Sequence, residues 1–127
     1  MPNSAAFTED GMAVAAARLK GTGTEPKQLG WGTGTTPADP GDSGLETPSA
    51  EARTAGTSSI QTVNVTNDCY QVVGDIVSLS AQAITELGLF DDPTAGALFA
   101  HFVFDALNLQ ISDSVEFTVQ VVAGAAA

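Results

Sequence analysis

Beyond Arg53 this chain has no lysine and no arginine. The same stretch holds eight acids (Asp68, Asp75, Glu86, Asp91, Asp92, Asp105, Asp113 and Glu116), so most of the net charge of -11 lies there. The only bases are Arg18, Lys20, Lys27 and Arg53. Such a balance excludes electrostatic capture of DNA, RNA or anionic lipid, because phosphate binding needs a basic footprint. A body without bases also lacks cations for its own carboxylates, which must face water, cations or a basic partner. A plain solvated surface and a surface matched to a basic partner both fit. Cys69 stands alone, which excludes an internal disulfide, and with His101 as the one histidine the usual zinc ligand sets are excluded too. One Trp and one Tyr are poor material for a sugar cleft. No apolar run approaches the roughly 18 residues of a membrane span. The start, Met1-Pro2-Asn3-Ser4, has neither the basic nor the apolar region of a secretory signal, so synthesis and assembly in a cytoplasm are expected.

What is present suits a single small domain. At 127 residues with 43% hydrophobic residues the chain can build one modest core. The spacing predicts a helix over residues 5–20, capped by Thr8, with Glu9 and Asp10 favoured by the helix dipole at its start and Gly21 at its end. Met12, Ala15, Ala16 and Leu19 follow a helical apolar spacing, and this narrow stripe must dock either on its own domain or on a neighbouring subunit. On the second reading, deleting residues 1–22 spares the fold. Leu29 and Trp31 alternate with Gly30 and Gly32 as in a short strand, and the glycines allow another backbone to come close. Residues 35–58 hold Pro37, Pro40 and Pro48 and few large apolar side chains. Such a stretch packs no core of its own and is most cheaply held by neighbouring chains.

From residue 60 on, the pattern is that of strands. Ile60–Val65 opens the series. Val73, Val77 and Leu79 share one face, with Val72 and Ile76 on the other. Ile84–Phe90 follows, then a turn at Asp91-Asp92-Pro93-Thr94-Ala95-Gly96. Leu98–Phe104 is apolar on both faces, and Val115, Phe117, Val119 and Val121 alternate with polar residues. The expected fold is mainly β: an antiparallel β-sandwich, jelly-roll-like, with a short N-terminal helix and an extended Gly/Pro/Thr-rich arm. The expected layout is an N-terminal arm and helix at 1–22, a single β-sandwich domain at 23–122 with a long loop at 35–58, and a tail at 123–127.

The chemical constellations are empty. His101 lies between Phe99 and Val103 on an alternating strand and reads as a packed or interface residue rather than a base. Cys69 has no nearby base to activate it and reads as a buried thiol. Asp91 and Asp92 read as turn residues before they read as calcium ligands. No catalytic, cofactor-binding or metal residue is assigned, and no cofactor is expected.

Ile84-Thr85-Glu86-Leu87-Gly88-Leu89-Phe90-Asp91, then Leu98-Phe99-Ala100-His101 and Asp113-Ser114-Val115-Glu116-Phe117-Thr118, resembles a block common in small virion structural proteins of tailed bacteriophages. Upstream, Lys27-Gln28-Leu29-Gly30-Trp31-Gly32-Thr33-Gly34-Thr35-Thr36 resembles the glycine- and threonine-rich strand and loop of the same proteins. The resemblance spans roughly residues 8–122. It implies a capsid decoration (cement) protein on the outside of the phage head, stabilising the shell by binding the major capsid protein, as a homo-oligomer, a trimer at threefold positions; a tail, collar or fibre-associated protein is the alternative. Phe7, Met12 and Trp31 are the candidate partner contacts.

Overall fold

The computed structural model describes residues 3–124; the last three alanines of the expected tail lie outside them. The chain is mainly β, and the described residues form two antiparallel sheets and one short helix. The strands are β1 (Ser4–Phe7), β2 (Gln28–Gly32), β3 (Thr54–Ala55), β4 (Thr57–Gln61), β5 (Cys69–Val77), β6 (Gln82–Phe90), β7 (Leu98–Leu109) and β8 (Ser114–Val122), with α1 (Glu9–Lys20) between β1 and β2. The larger sheet runs β1-β7-β6-β2-β3 and the smaller β4-β5-β8. Leu29, Trp31, Ile84, Leu87 and Leu89 of the first join Val72, Ile76 and Val119 of the second in one core. On β5 the inward face is therefore that of Val72 and Ile76, while Val77 is 52% exposed.

The N-terminal segment is not an arm. β1 pairs with β7 from Ser4 opposite Val103 to Phe7 opposite Ala100, and β2 lies inside the larger sheet, between β6 and β3. These strands bury backbone polar groups that an arm in water would leave solvated. Losing residues 1–22 would strip an edge strand and a helix from the domain, so the structure favours docking of α1 on its own chain.

The cap at Thr8 is as expected, but residues 5–7, expected at the start of the helix, lie in β1, and the helix runs Glu9–Lys20. Thr8 Oγ1 accepts from the Gly11 amide at 2.8 Å and donates to the Leu98 carbonyl, tying the cap to β7. Gly21 closes the other end. The docking face, however, is Gly11, Val14 and Ala15; Met12 is 50% and Leu19 90% exposed. Gly11 sets that choice. A Cβ on it would lie 2.2 Å from the Phe99 carbonyl oxygen, so only glycine lets the helix approach so closely, and its rotation about its own axis follows. In an isolated helix Gly→Ala gains about 0.5–1 kcal/mol. Here Gly11→Ala is expected to cost about 1–3 kcal/mol through overpacking, read as a lowered midpoint in thermal melting. A raised midpoint would show that the helix sits farther from β7.

Candidate functional site

Two places concentrate what this fold offers. The first is polar and buried. Glu86 on β6 is 0% exposed and His101 on β7 is 2% exposed. The register of β6 on β7 shifts between Ile84 and Glu86, a local irregularity that coincides with the place where the side chain of Glu86 enters the interior. There Glu86 Oε1 meets His101 Nε2 at 2.8 Å and accepts from the Glu46 amide at 3.0 Å. Its Oε2 accepts from the amides of Gly34 at 2.9 Å and Thr47 at 2.8 Å. His101 Nδ1 meets Asp42 Oδ2 at 2.7 Å. Each ring nitrogen of His101 thus lies at hydrogen-bond distance from a carboxylate in a poorly solvated place. Gly32 and Gly34 make room: a Cβ on either would lie within 2.7 Å of Glu86 Oε2.

The effect is to fasten the loop of residues 33–48 to the sheet. Its own chain thus supplies polar anchors for this loop. Glu46 continues the fastening by accepting from the amides of Thr35 at 2.8 Å and Thr36 at 3.1 Å. Glu51 accepts from Trp31 Nε1 at 2.8 Å, the Leu79 amide at 2.8 Å and Gln82 Nε2 at 2.7 Å. Arg53 lies with its guanidinium 3.5 Å from the centre of the Phe90 ring and donates to the carbonyls of Asp92 and Ala95, closing the 91–96 turn. Asp91 and Asp92 accept amide hydrogens inside that turn. Among the described residues no cluster of three or more His, Cys, Asp or Glu side chains is placed to hold a metal, and every buried side-chain nitrogen and oxygen has a partner. Both ring nitrogens of His101 are occupied, Cys69 is buried at 1% exposure, and neither faces an open cleft.

Acid therefore tests these attachments. Hydrogen bonds from Thr36 and Thr35 hold Glu46 below its ordinary value of 4.5. Amides of Val65 and Val63 do the same for Asp68, and those of Thr94 and Ala95 for Asp92, from 3.8. A carboxyl depressed in the folded state adds stability above its unfolded value and loses it as pH falls through the folded value. The thermal midpoint should be level from neutral pH to about 5 and fall below about 4.5; a midpoint independent of pH down to 3 would mean these caps contribute nothing. Tyr70 acts at the other end of the scale. Burial and the neighbouring Glu25 push its phenol up, so its contribution is complete below about 10 and is lost at higher pH.

The second place is apolar and open. A shallow groove of about 400 Å³ runs between the two sheets, lined by Leu87, Phe102, Phe104 and Leu107 on one side and the edge of β8 on the other. Phe104 and Phe117 face each other across it with ring centres 6.3 Å apart. Phe102 and Phe117, which alternation alone places in the core, are only half-buried. Elsewhere Phe7 is 41% exposed, beside Met12 and Leu19 on the N-terminal segment. Of the three candidate partner contacts, Phe7 and Met12 are thus on the surface. Trp31 is not: at 2% exposure, with its indole N–H bonded to Glu51, it belongs to the core. The opening at β8 was missed because alternation marks a half-exposed strand without saying which edge is left unpaired. Compared with known protein families, curated proteins and solved structures, the chain matches none.

Proposed function

We propose that this chain is a bacteriophage capsid decoration protein that binds the outer surface of the shell formed by the major capsid protein and stabilises the head. The observation that carries the reading is the division of the side chains. Polar chemistry points inward and fastens loops, whereas large apolar side chains at Phe7, Met12 and Leu19 are exposed and a shallow apolar groove opens beside β8. Scattered apolar side chains are ordinary on a protein surface, but a row on one helix and a groove at a sheet edge suit attachment. The resemblance of residues 84–118 to phage virion proteins supplies the kind of particle. A cement protein works by adding contact area across joints, and many copies hold a shell even when each contact is weak. The helix face of Met12 and Leu19, with Phe7, is the surface assigned to the shell.

The test is binding of the purified chain to expanded capsids, with Met12→Ser and Leu19→Ser as the paired variant. Saturable binding at hundreds of copies per particle, reduced at least tenfold in the variant, is the expected result. A dozen copies or fewer would place the protein in the tail or collar. No binding to capsids would overturn the reading.

A further inference from the structure

We propose that two copies of this chain pair through β8, edge to edge about a two-fold axis at Thr118, joining their smaller sheets into one six-stranded sheet. β8 bonds to β5 along its whole length, and among the described residues no strand pairs with its other side. It is the longest of the terminal strands in the two sheets, nine residues against four for β1, two for β3 and five for β4. An edge about 30 Å long is normally blunted by Lys, Pro, a bulge or a covering segment. Ser114–Val122 contains no Lys and no Pro, and its one charge is Glu116.

The sequence of the edge chooses the occupant. A second copy of β8, antiparallel and centred on Thr118, aligns all nine residues. Val115 then faces Val121 and Phe117 faces Val119 on the inner side. On the outer side Ser114 faces Val122 and Glu116 faces Gln120. No like charges meet, whereas a pairing centred on Glu116 would set the two carboxylates against each other. Aromatic and β-branched cross-strand pairs are among those that stabilise sheets. The groove runs along this same edge, so a paired strand would also cover Phe104 and Leu107. A contact of this symmetry closes at two copies; assembly in threes would need a different surface. With a net charge of -11 on each copy, the pair should tighten as salt is raised.

The experiment is sedimentation velocity on the full chain across a micromolar dilution series. The expected mass at the upper end is twice the 12.9 kDa of one chain. Gln120 is exposed and its side chain bonds only Gln71, so changing it spares the fold, which circular dichroism verifies. Gln120→Lys sets an ammonium opposite Glu116 twice per pair and should tighten dissociation about 2- to 30-fold; Gln120→Glu should loosen it by a similar factor. A monomer at every concentration, a trimer, or a dimer indifferent to both changes would each overturn the proposal. Capsid binding is read separately: a dimer that ignores capsids overturns only the decoration reading, and a monomer that binds them overturns only the pairing.

Discussion

Replacing Glu86 by Ala is expected to cost about 3–5 kcal/mol, because it removes a fully buried carboxyl group on which four hydrogen-bond partners converge. The change strands the amides of Gly34, Glu46 and Thr47 together with His101 Nε2, all of which meet this one side chain. An unsatisfied buried donor costs about 1–3 kcal/mol, but relaxation and water entry at the loop keep the total below the sum. Against a domain stability of about 5–15 kcal/mol this is a large share. Glu86→Gln separates charge from shape. The amide keeps the size but turns an NH₂ group toward N–H donors on one of its two ends, so it should be nearly as damaging as Ala. Urea denaturation gives the comparison, and limited proteolysis within residues 33–48 should accelerate in both variants. A Gln variant as stable as the parent would show that the site needs volume and not a carboxylate.

Leu29→Ala is the second large effect, expected to cost about 2–5 kcal/mol. Leu29 is 0% exposed on β2, in register with Leu89 on one side and Thr54 on the other. Its side chain reaches the smaller sheet: a Cβ on Gly74 of β5 would lie 2.8 Å from Leu29 Cδ1. Truncation therefore opens a cavity where the two sheets meet, and backbones joined on all sides cannot collapse into it. The denaturant midpoint should fall without a change in slope. A cost below about 1 kcal/mol would mean that the sheets re-pack over the gap.

The acid excess had a structural reason that charge counting does not reveal. A body without Lys or Arg after residue 53 was expected to turn its carboxylates to water, cations or a basic partner. Asp68, Glu86, Asp91, Asp92 and Asp113 also accept backbone amides of nearby turns and loops, and of these only Glu86 is fully buried. An amide hydrogen is as useful to a carboxylate as a cation where the chain turns, and every non-proline residue carries one. The long loop follows the same logic. Few large apolar residues do imply that residues 35–58 build no core, yet Glu46, Glu51 and Arg53 within it and Glu86 beyond it supply polar anchors instead. His101 belongs to this set, bonded on both nitrogens, and its neighbours Phe99 and Val103 on an alternating strand gave no hint of Asp42, fifty-nine positions away.

By itself the sequence determined the class of fold, the helix cap at Thr8, the strands at Leu29–Trp31 and beyond residue 69, and the want of a basic surface, since each of these follows from local periodicity, capping chemistry or composition. Only the tertiary structure decided which helix face docks, that Trp31 is inside, which acid meets His101, and which strand edge stays open. Those outcomes depend on distances between residues far apart in the chain. At Gly11 a single missing methyl group fixed the helix face against its more apolar stripe.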